Sequence, residues 1–270
     1  MFGWLGRRGE PPPIDEGLWE SATLPYLFMR GMPAQDSERL RALSGRFLAA
    51  KQFSGTHDLE ITPFMHVQVA AQASILVLEL GLEWYDGWSE VIVYPGQFAP
   101  EREIVDEAGV VHLVNDPMAG EAWLGGPVIL SYEDVAMAGD EDARVAGYNV
   151  VIHEFAHKLD MRSGEPNGCP PLHAGMSLAR WREAFAGAYG DFRRRVEEAE
   201  EREERDGGRA LDELPIDPYA AENPGEFFAV VSEAFFETPE WLEPAYPAVY
   251  GELRRFYRQD PLARLGAATA

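Results

Sequence analysis

Apolar residues recur at helical spacing through the first third of the chain. Leu40, Leu43, Phe47 and Leu48 follow Ser37 in this rhythm, and Pro63 opens a second run through Val67, Val69, Ala70, Ala73, Leu76, Val77 and Leu80 that Gly81 stops. Proline in a first helical turn and glycine just past the last are start and stop signals. Residues 14–83 therefore read as helical. The window from Val67 to Leu80 is the most apolar, but it contains Gln68, Gln72, Ser74 and Glu79. It is too short and too polar to span a bilayer and reads as a buried helix.

The pattern then shortens. Glu90–Tyr94 is a β-branched run ended by Pro95-Gly96, and residues 110–114 and 127–131 are two further short apolar runs flanked by Gly109 and by Gly125-Gly126. Three short strands with no helix between them predict a small sheet, mixed or antiparallel. Helical spacing returns from Asp140 to Asp160, where Val145, Tyr148, Ile152, Phe155 and Leu159 form a stripe. A further helix is expected from Trp181 to Glu204. Its end merges into residues 197–213, which hold nine acids and three arginines, with Glu198/Arg202 and Glu201/Arg205 at i,i+4 spacing. That run reads as a solvated helix end and loop, with a lid or partner-binding role the less favoured alternative.

Composition adds bounds. The chain has 270 residues, 46% apolar, and a formal charge of −23, enough to bury a substantial core without disulfides. So strong an acidic excess argues against nucleic-acid binding, which needs clustered Lys and Arg. Cys169 is the one cysteine, which excludes an internal disulfide framework and fits a reducing compartment. Arg7 and Arg8 follow a short apolar start, the reverse of a signal peptide's order, so the expectation is a cytoplasmic protein without a membrane anchor.

The chemistry concentrates in Val150-Val-Ile-His-Glu-Phe-Ala-His157. His153 and His157 lie four apart, so both imidazoles leave one face of a helix about a turn apart, as two ligands of one zinc ion must. Glu154 lies beside them, where a general base belongs. The helix is apolar on both sides of the histidines and should be buried, and unpartnered polar groups in a dry interior cost several kcal/mol.

A catalytic zinc usually has a third protein ligand. A third histidine continuing the motif fails, because Asp160 and Ser163 occupy the positions that would carry Gly and His. His173 stands in a Pro/Gly loop and is the weakest candidate. Glu226 and Glu233, seven apart in the apolar run Asn223-Pro-Gly-Glu-Phe-Phe-Ala-Val-Val-Ser-Glu233, are stronger. Asn223 and Glu226 also fit a capping box, and Glu233 also fits a carboxylate that orients a ligating histidine. Asp160 fits either a ligand-orienting or a capping role. Cys169, His66 and His112 read as structural or incidental.

Together, Val151–Asp160, Tyr219-Ala-Ala and Asn223–Glu233 resemble the Mlc titration factor A family of zinc-dependent peptidases, itself similar to the catalytic domain of anthrax lethal factor. The resemblance runs from about residue 20 to the Phe256–Pro261 tail. It implies an α+β, zincin-like (gluzincin) fold with a small mixed sheet, an active-site helix and a helical N-terminal region. It implies one zinc per chain on His153, His157 and Glu226, Glu154 as general base, and Tyr219 as a hydrogen-bond donor to the developing oxyanion. The acidic run at 197–213 is longer or more charged than the family's pattern.

The expected function is zinc-dependent hydrolysis of peptide bonds, as an aminopeptidase on short peptides. The alternative is a regulatory protein that sequesters a transcriptional repressor of sugar uptake, because the family's name comes from such binding; a zinc-stabilised structural domain would need a fourth ligand that does not stand out. The expected organisation is a lead-in at 1–13, a helical region at 14–85 packed on a catalytic domain at 86–262, and a tail at 263–270.

Overall fold

The computed structural model describes residues 13–99, 102–105, 111–114, 117–140 and 147–268. Helices α1 (Glu16–Thr23), α2 (Ala34–Ala50) and α3 (Pro63–Leu76) precede the sheet strands β2 (Glu90–Tyr94), β5 (Gly120–Ala122) and β6 (Val128–Ser131), and strand β1 (Gln52–Gly55) lies between α2 and α3. Strands β3 (Arg102–Val105) and β4 (Val111–Val114) form a separate antiparallel hairpin. Helix α4 (Tyr132–Met137) follows the sheet, and α5 (Val150–Asp160) carries the histidine pair. Then come α6 (Leu178–Asp206), α7 (Pro224–Glu237), α8 (Pro239–Ala245), α9 (Pro247–Tyr257) and α10 (Pro261–Ala268).

The main sheet runs β1-β2-β6-β5. β1, β2 and β6 are mutually parallel, and β5 pairs antiparallel with β6 at the edge. The fold is thus α+β with a small mixed sheet, as expected. Two expected details change. The run at 111–114 leaves the main sheet and pairs with 102–105, Val110 lying outside the described residues; β1, inside a stretch read as all helical, takes the vacated place. Parallel β1 and β2 need a crossover, which α3 supplies.

α3 is buried around its whole circumference from Val67 to Leu76. Two of its glutamines find partners inside: Gln72 Nε2 donates to Tyr26 Oη at 2.9 Å, and Tyr132 Oη donates to Gln68 Oε1 at 2.9 Å. α5 starts later than its stripe predicts. Gly147 takes φ +72° and Asn149 is extended, so the chain becomes helical only at Val150; Val145 lies outside the described residues. One apolar core runs from Trp19 to Tyr257.

Phe155, on the side of α5 away from the histidines, stacks edge-on against Phe47, Tyr85 and Trp88 with centroids 5.1–5.7 Å apart. Burying such a ring contributes roughly 2–3 kcal/mol and fixes the rotation of α5. Lys158 Nζ, also on α5, donates to the carbonyls of Trp123 and Gly126 at 2.6 and 2.8 Å, tying the β5–β6 turn to this helix. Lys51 Nζ binds the carbonyls of Tyr85 and Trp88. Both ammonium groups face the Trp88 ring, and burial lowers the pKa of each lysine to about 8. Among the described residues no helix is long and apolar enough to cross a membrane.

Candidate metal centre

Two helix starts set the geometry. Asn149 caps α5 by accepting from Ile152 N at 3.0 Å, and its amide donates to Glu237 Oε1 at 2.8 Å. Asn223 caps α7 by accepting from Gly225 N and Glu226 N at 2.9 and 3.1 Å. The cap is therefore the asparagine alone. The Glu226 side chain turns instead toward the histidines, where a capping box would have folded it back onto the backbone.

Glu226 Oε2 lies 3.0 Å from His153 Nε2 and 3.1 Å from His157 Nε2, and the two nitrogens are 3.2 Å apart. Three atoms capable of ligating a metal thus form a nearly equilateral triangle. A tetrahedral centre with bonds of about 2.0–2.1 Å has edges of about 3.3–3.4 Å, so the triangle fits one small ion with an open fourth position. Two turns further along the same helix face, Glu233 Oε1 accepts from His153 Nδ1 at 2.7 Å, and its other oxygen accepts from Asn149 N. A carboxylate can only accept here, so Nδ1 keeps its proton and Nε2 is the nitrogen left to face an ion. Glu233 thus lies outside the triangle and fixes the orientation of His153.

The electrostatics ask for positive charge. Burial disfavours a charged His153, but Glu233 and Glu226 outweigh it and hold its pKa well above the ordinary value. Burial also opposes ionised Glu226, but hydrogen bonds from both histidines prevail and keep it below the carboxylate range. Burial pushes Glu154 up to about 7, with the two histidines pulling the other way. Three carboxylates converging on two imidazoles suit a divalent cation.

Gly120 on β5 explains how Glu154 fits. A Cβ there would lie 2.5 Å from Glu154 Oε1 and 2.6 Å from its Cγ. Only a hydrogen side chain lets the carboxylate lie against the strand. The cavity between them measures about 230 Å³ and is walled by Gly120, Tyr148, Val150 and Val230, with His153 and Glu154 at its base.

Tyr219 opens the same cavity from a 3-10 turn at Pro218–Ala221 capped by Asp217, whose Oδ1 accepts from Tyr219 N at 2.8 Å. Its ring centroid is 6.1 Å from that of His153, and the side chain is half exposed. Asp160 performs neither role offered by the sequence. Fully buried, it accepts from the amides of Asn167, Gly168 and Cys169 at 2.6–3.0 Å. That pins the loop after α5 against the start of α7: Gly168 takes φ +77°, and a Cβ there would collide with the Pro224 carbonyl. Asp160 thus holds the element that delivers Glu226.

His173 is elsewhere, its ring stacked on Phe256 and its Nε2 donating to Phe256 O at 2.8 Å. His66 caps back to Thr62 O, and His112 sits in β4 opposite Ile104. Gly120, Asn149 and Lys158 were not singled out from sequence. Asn149 had a readable signal, a cap residue just ahead of an apolar run; Gly120 and Lys158 act through strand neighbours that no local pattern reveals.

The comparisons with known proteins agree with this chemistry. The sequence matches the family described as glucose-regulated metallo-peptidase M90 over residues 4–258. It is 37% identical over 267 residues to Mlc titration factor A of Yersinia pestis (strain Pestoides F), covering 98% of this chain and 93% of that protein. The same figures hold for Mlc titration factor A of Yersinia pseudotuberculosis serotype O:1b (strain IP 31758). A match across nearly the whole chain, together with a cluster of two histidines and a glutamate suited to a metal, means that this chain belongs to the glucose-regulated metallo-peptidase M90 family.

Proposed function

We propose that the protein is a zinc-dependent peptidase of zincin-like, gluzincin type that hydrolyses peptide bonds, with aminopeptidase action on short peptides as its expected form. The observation that carries the reading is the triangle of His153 Nε2, His157 Nε2 and Glu226 Oε2 at 3.0–3.2 Å beside a buried glutamate. These three side chains would hold the ion. When bound, it supplies Lewis acidity to a substrate carbonyl and to a water molecule.

The remaining work falls to the chain's own groups. Glu154 accepts the proton of the attacking water and returns it to the leaving amine. Tyr219, at the mouth of the cavity, donates to the oxygen on which charge develops, a contact typically worth about 3–4 kcal/mol in the transition state. Glu233 keeps His153 in the ligating tautomer. Residues 14–85 act as a buttress for a catalytic unit at 86–262, with Phe47 and Tyr85 bearing on Phe155. A cytoplasmic location is in keeping with Cys169 being a free thiol.

The test is a chromogenic peptide assay on zinc-loaded protein, with and without chelator, repeated on Glu154→Gln. The reading expects turnover that chelator abolishes, and a variant that keeps its metal but loses turnover. Activity indifferent to chelator, or retained in Glu154→Gln, refutes it. A second reading, binding of a transcriptional repressor, is favoured by the name of the relatives, which refers to titration of Mlc. It predicts a stable complex that forms equally well with Glu154→Gln.

A further inference from the structure

A second cavity of about 710 Å³ lies beside the metal centre, and Asp217 lines both it and the 230 Å³ cavity at Glu154. Its walls are Leu211, Leu214, Pro215 and Pro218 on one side and Trp241 of α8 on the other. Ile216 and Thr238 are buried at its floor, while the Trp241 ring is 44% exposed. The loop that forms the first wall is held in place. Leu211 N donates to Glu203 Oε1 at 2.8 Å, and Glu213 pairs with Arg202 at 2.7 Å. The acidic run of α6 thereby becomes the mooring of this wall, a role its composition did not disclose.

We propose that this cleft binds the part of a polypeptide substrate that flanks the scissile bond, and that it selects an apolar side chain there. The inference rests on the peptidase reading above and deepens it. Size gives the first reason. Sites that bury most of a ligand measure about 300–1,000 Å³; the cavity at Glu154 falls below that range and the cleft lies within it. One catalytic cavity can seat one side chain, and the rest of the substrate needs other surface.

Continuity gives the second reason. The two cavities meet at Asp217, and Tyr219 and Pro218 are the next residues on either side of that boundary. An extended chain advances about 3.3 Å per residue, so a peptide held for attack at the metal triad reaches the cleft within a few residues. Chemistry gives the third. Trp241, Leu211, Leu214, Ile216 and two prolines form an apolar strip within a cleft whose remaining lining is polar. The charged groups at the cleft are Arg209 and Asp212, paired with each other at 2.8 Å, and Asp217, engaged by Tyr219 N. The occupant is therefore an apolar residue of a peptide several residues long. A single amino-acid amide would leave the cleft empty.

The test uses internally quenched octapeptides in which one leucine is walked through a serine- and alanine-based parent. Zinc-loaded protein should cleave one such peptide at least about tenfold better than the parent, the discrimination expected of an apolar pocket. In Trp241→Ala and in Leu214→Ser that preference should collapse toward one. Equal cleavage of all peptides by the unaltered protein, or a preference that survives both substitutions, overturns the proposal. Binding is measured separately, by fluorescence anisotropy of the same labelled peptides on the Glu154→Gln protein. Tighter binding of the preferred leucine peptide, lost with Trp241→Ala added, supports the cleft even where no peptide is cleaved; absence of cleavage would then count against the peptidase reading alone. Equal binding of leucine and parent peptides overturns the cleft.

Discussion

Replacing Gly120 by alanine should disable the site without removing its metal. The backbone at Gly120 is not among the positive-φ glycines, so alanine introduces no backbone strain there. The effect is purely steric. The new methyl would stand 2.5 Å from Glu154 Oε1, 2.6 Å from Glu154 Cγ and 2.8 Å from Val150 Cγ2, whereas ordinary contact begins near 3.4 Å. The carboxylate must retreat by about 0.9 Å. A misplacement of about 1 Å in a reacting group costs roughly a hundredfold in rate. Overpacking of this kind also costs about 1–3 kcal/mol of stability, which lowers Tm by some 2–10 °C in a chain of this size.

The atoms nearest that methyl belong to Glu154 and Val150 and not to His153, His157 or Glu226, so zinc stoichiometry should remain at that of the parent. The assay is kcat on a chromogenic peptide, run beside metal analysis and calorimetry on the same preparation. A hundredfold loss of kcat with full metal is the expected result. Full turnover in Gly120→Ala would refute the claim that Glu154 is the base and is positioned by β5.

Three further outcomes are expected. Glu233→Ala should weaken metal binding by 10- to 100-fold, since the histidine it orients loses its tautomer control; competition with a chelating dye measures this, and unchanged affinity would remove Glu233 from the site. Asp160→Ala strands the amides of Asn167 and Gly168, while Cys169 N keeps Asn167 Oδ1 as an acceptor at 3.1 Å, and should cost about 2 kcal/mol or more, read as a fall in Tm together with reduced metal affinity from a loosened Glu226. For metal-free protein, the raised carboxyl of Glu154 means that the folded state binds more protons than the unfolded state between its ordinary value of 4.5 and about 7. Stability should therefore fall as pH rises through that window, by about 3 kcal/mol from this group, and His153, raised above 6.5, extends the decline past neutrality. A Tm in chelator that climbs from pH 5 to pH 7 would contradict this.

The helices that carry the site were legible because their chemistry-bearing residues interrupt apolar runs at helical spacing. His153 and His157 share a face by a step of four, and Glu226 and Glu233 by a step of seven. The cap Asn223 marks where α7 begins, whereas α5 and α6 begin at Val150 and Leu178 behind the caps Asn149 and Ser177, and not at the Asp140 and Trp181 that apolar spacing predicts. What stayed hidden depends on distant partners. Gln52–Gly55 has no alternation and becomes a strand only because β2 offers it a parallel edge, and the three residues of β5 are too few to show a period. Asp160 could not be assigned from its helix, since its partners are amides seven to nine residues on. The burial of Lys51 and Lys158 against one tryptophan ring contradicts the usual fate of lysine and arises from backbone carbonyls that the fold leaves pointing inward.

The measurement closest to the central claim is X-ray absorption on purified protein, with metal content determined on the same sample. One zinc per chain, with two imidazole nitrogens and a carboxylate oxygen near 2.0 Å, is the predicted result, and substituting His153, His157 or Glu226 should each abolish that signature. Fully folded protein that binds no zinc under saturating conditions, or binds it through a ligand set that survives all three substitutions, would contradict the account.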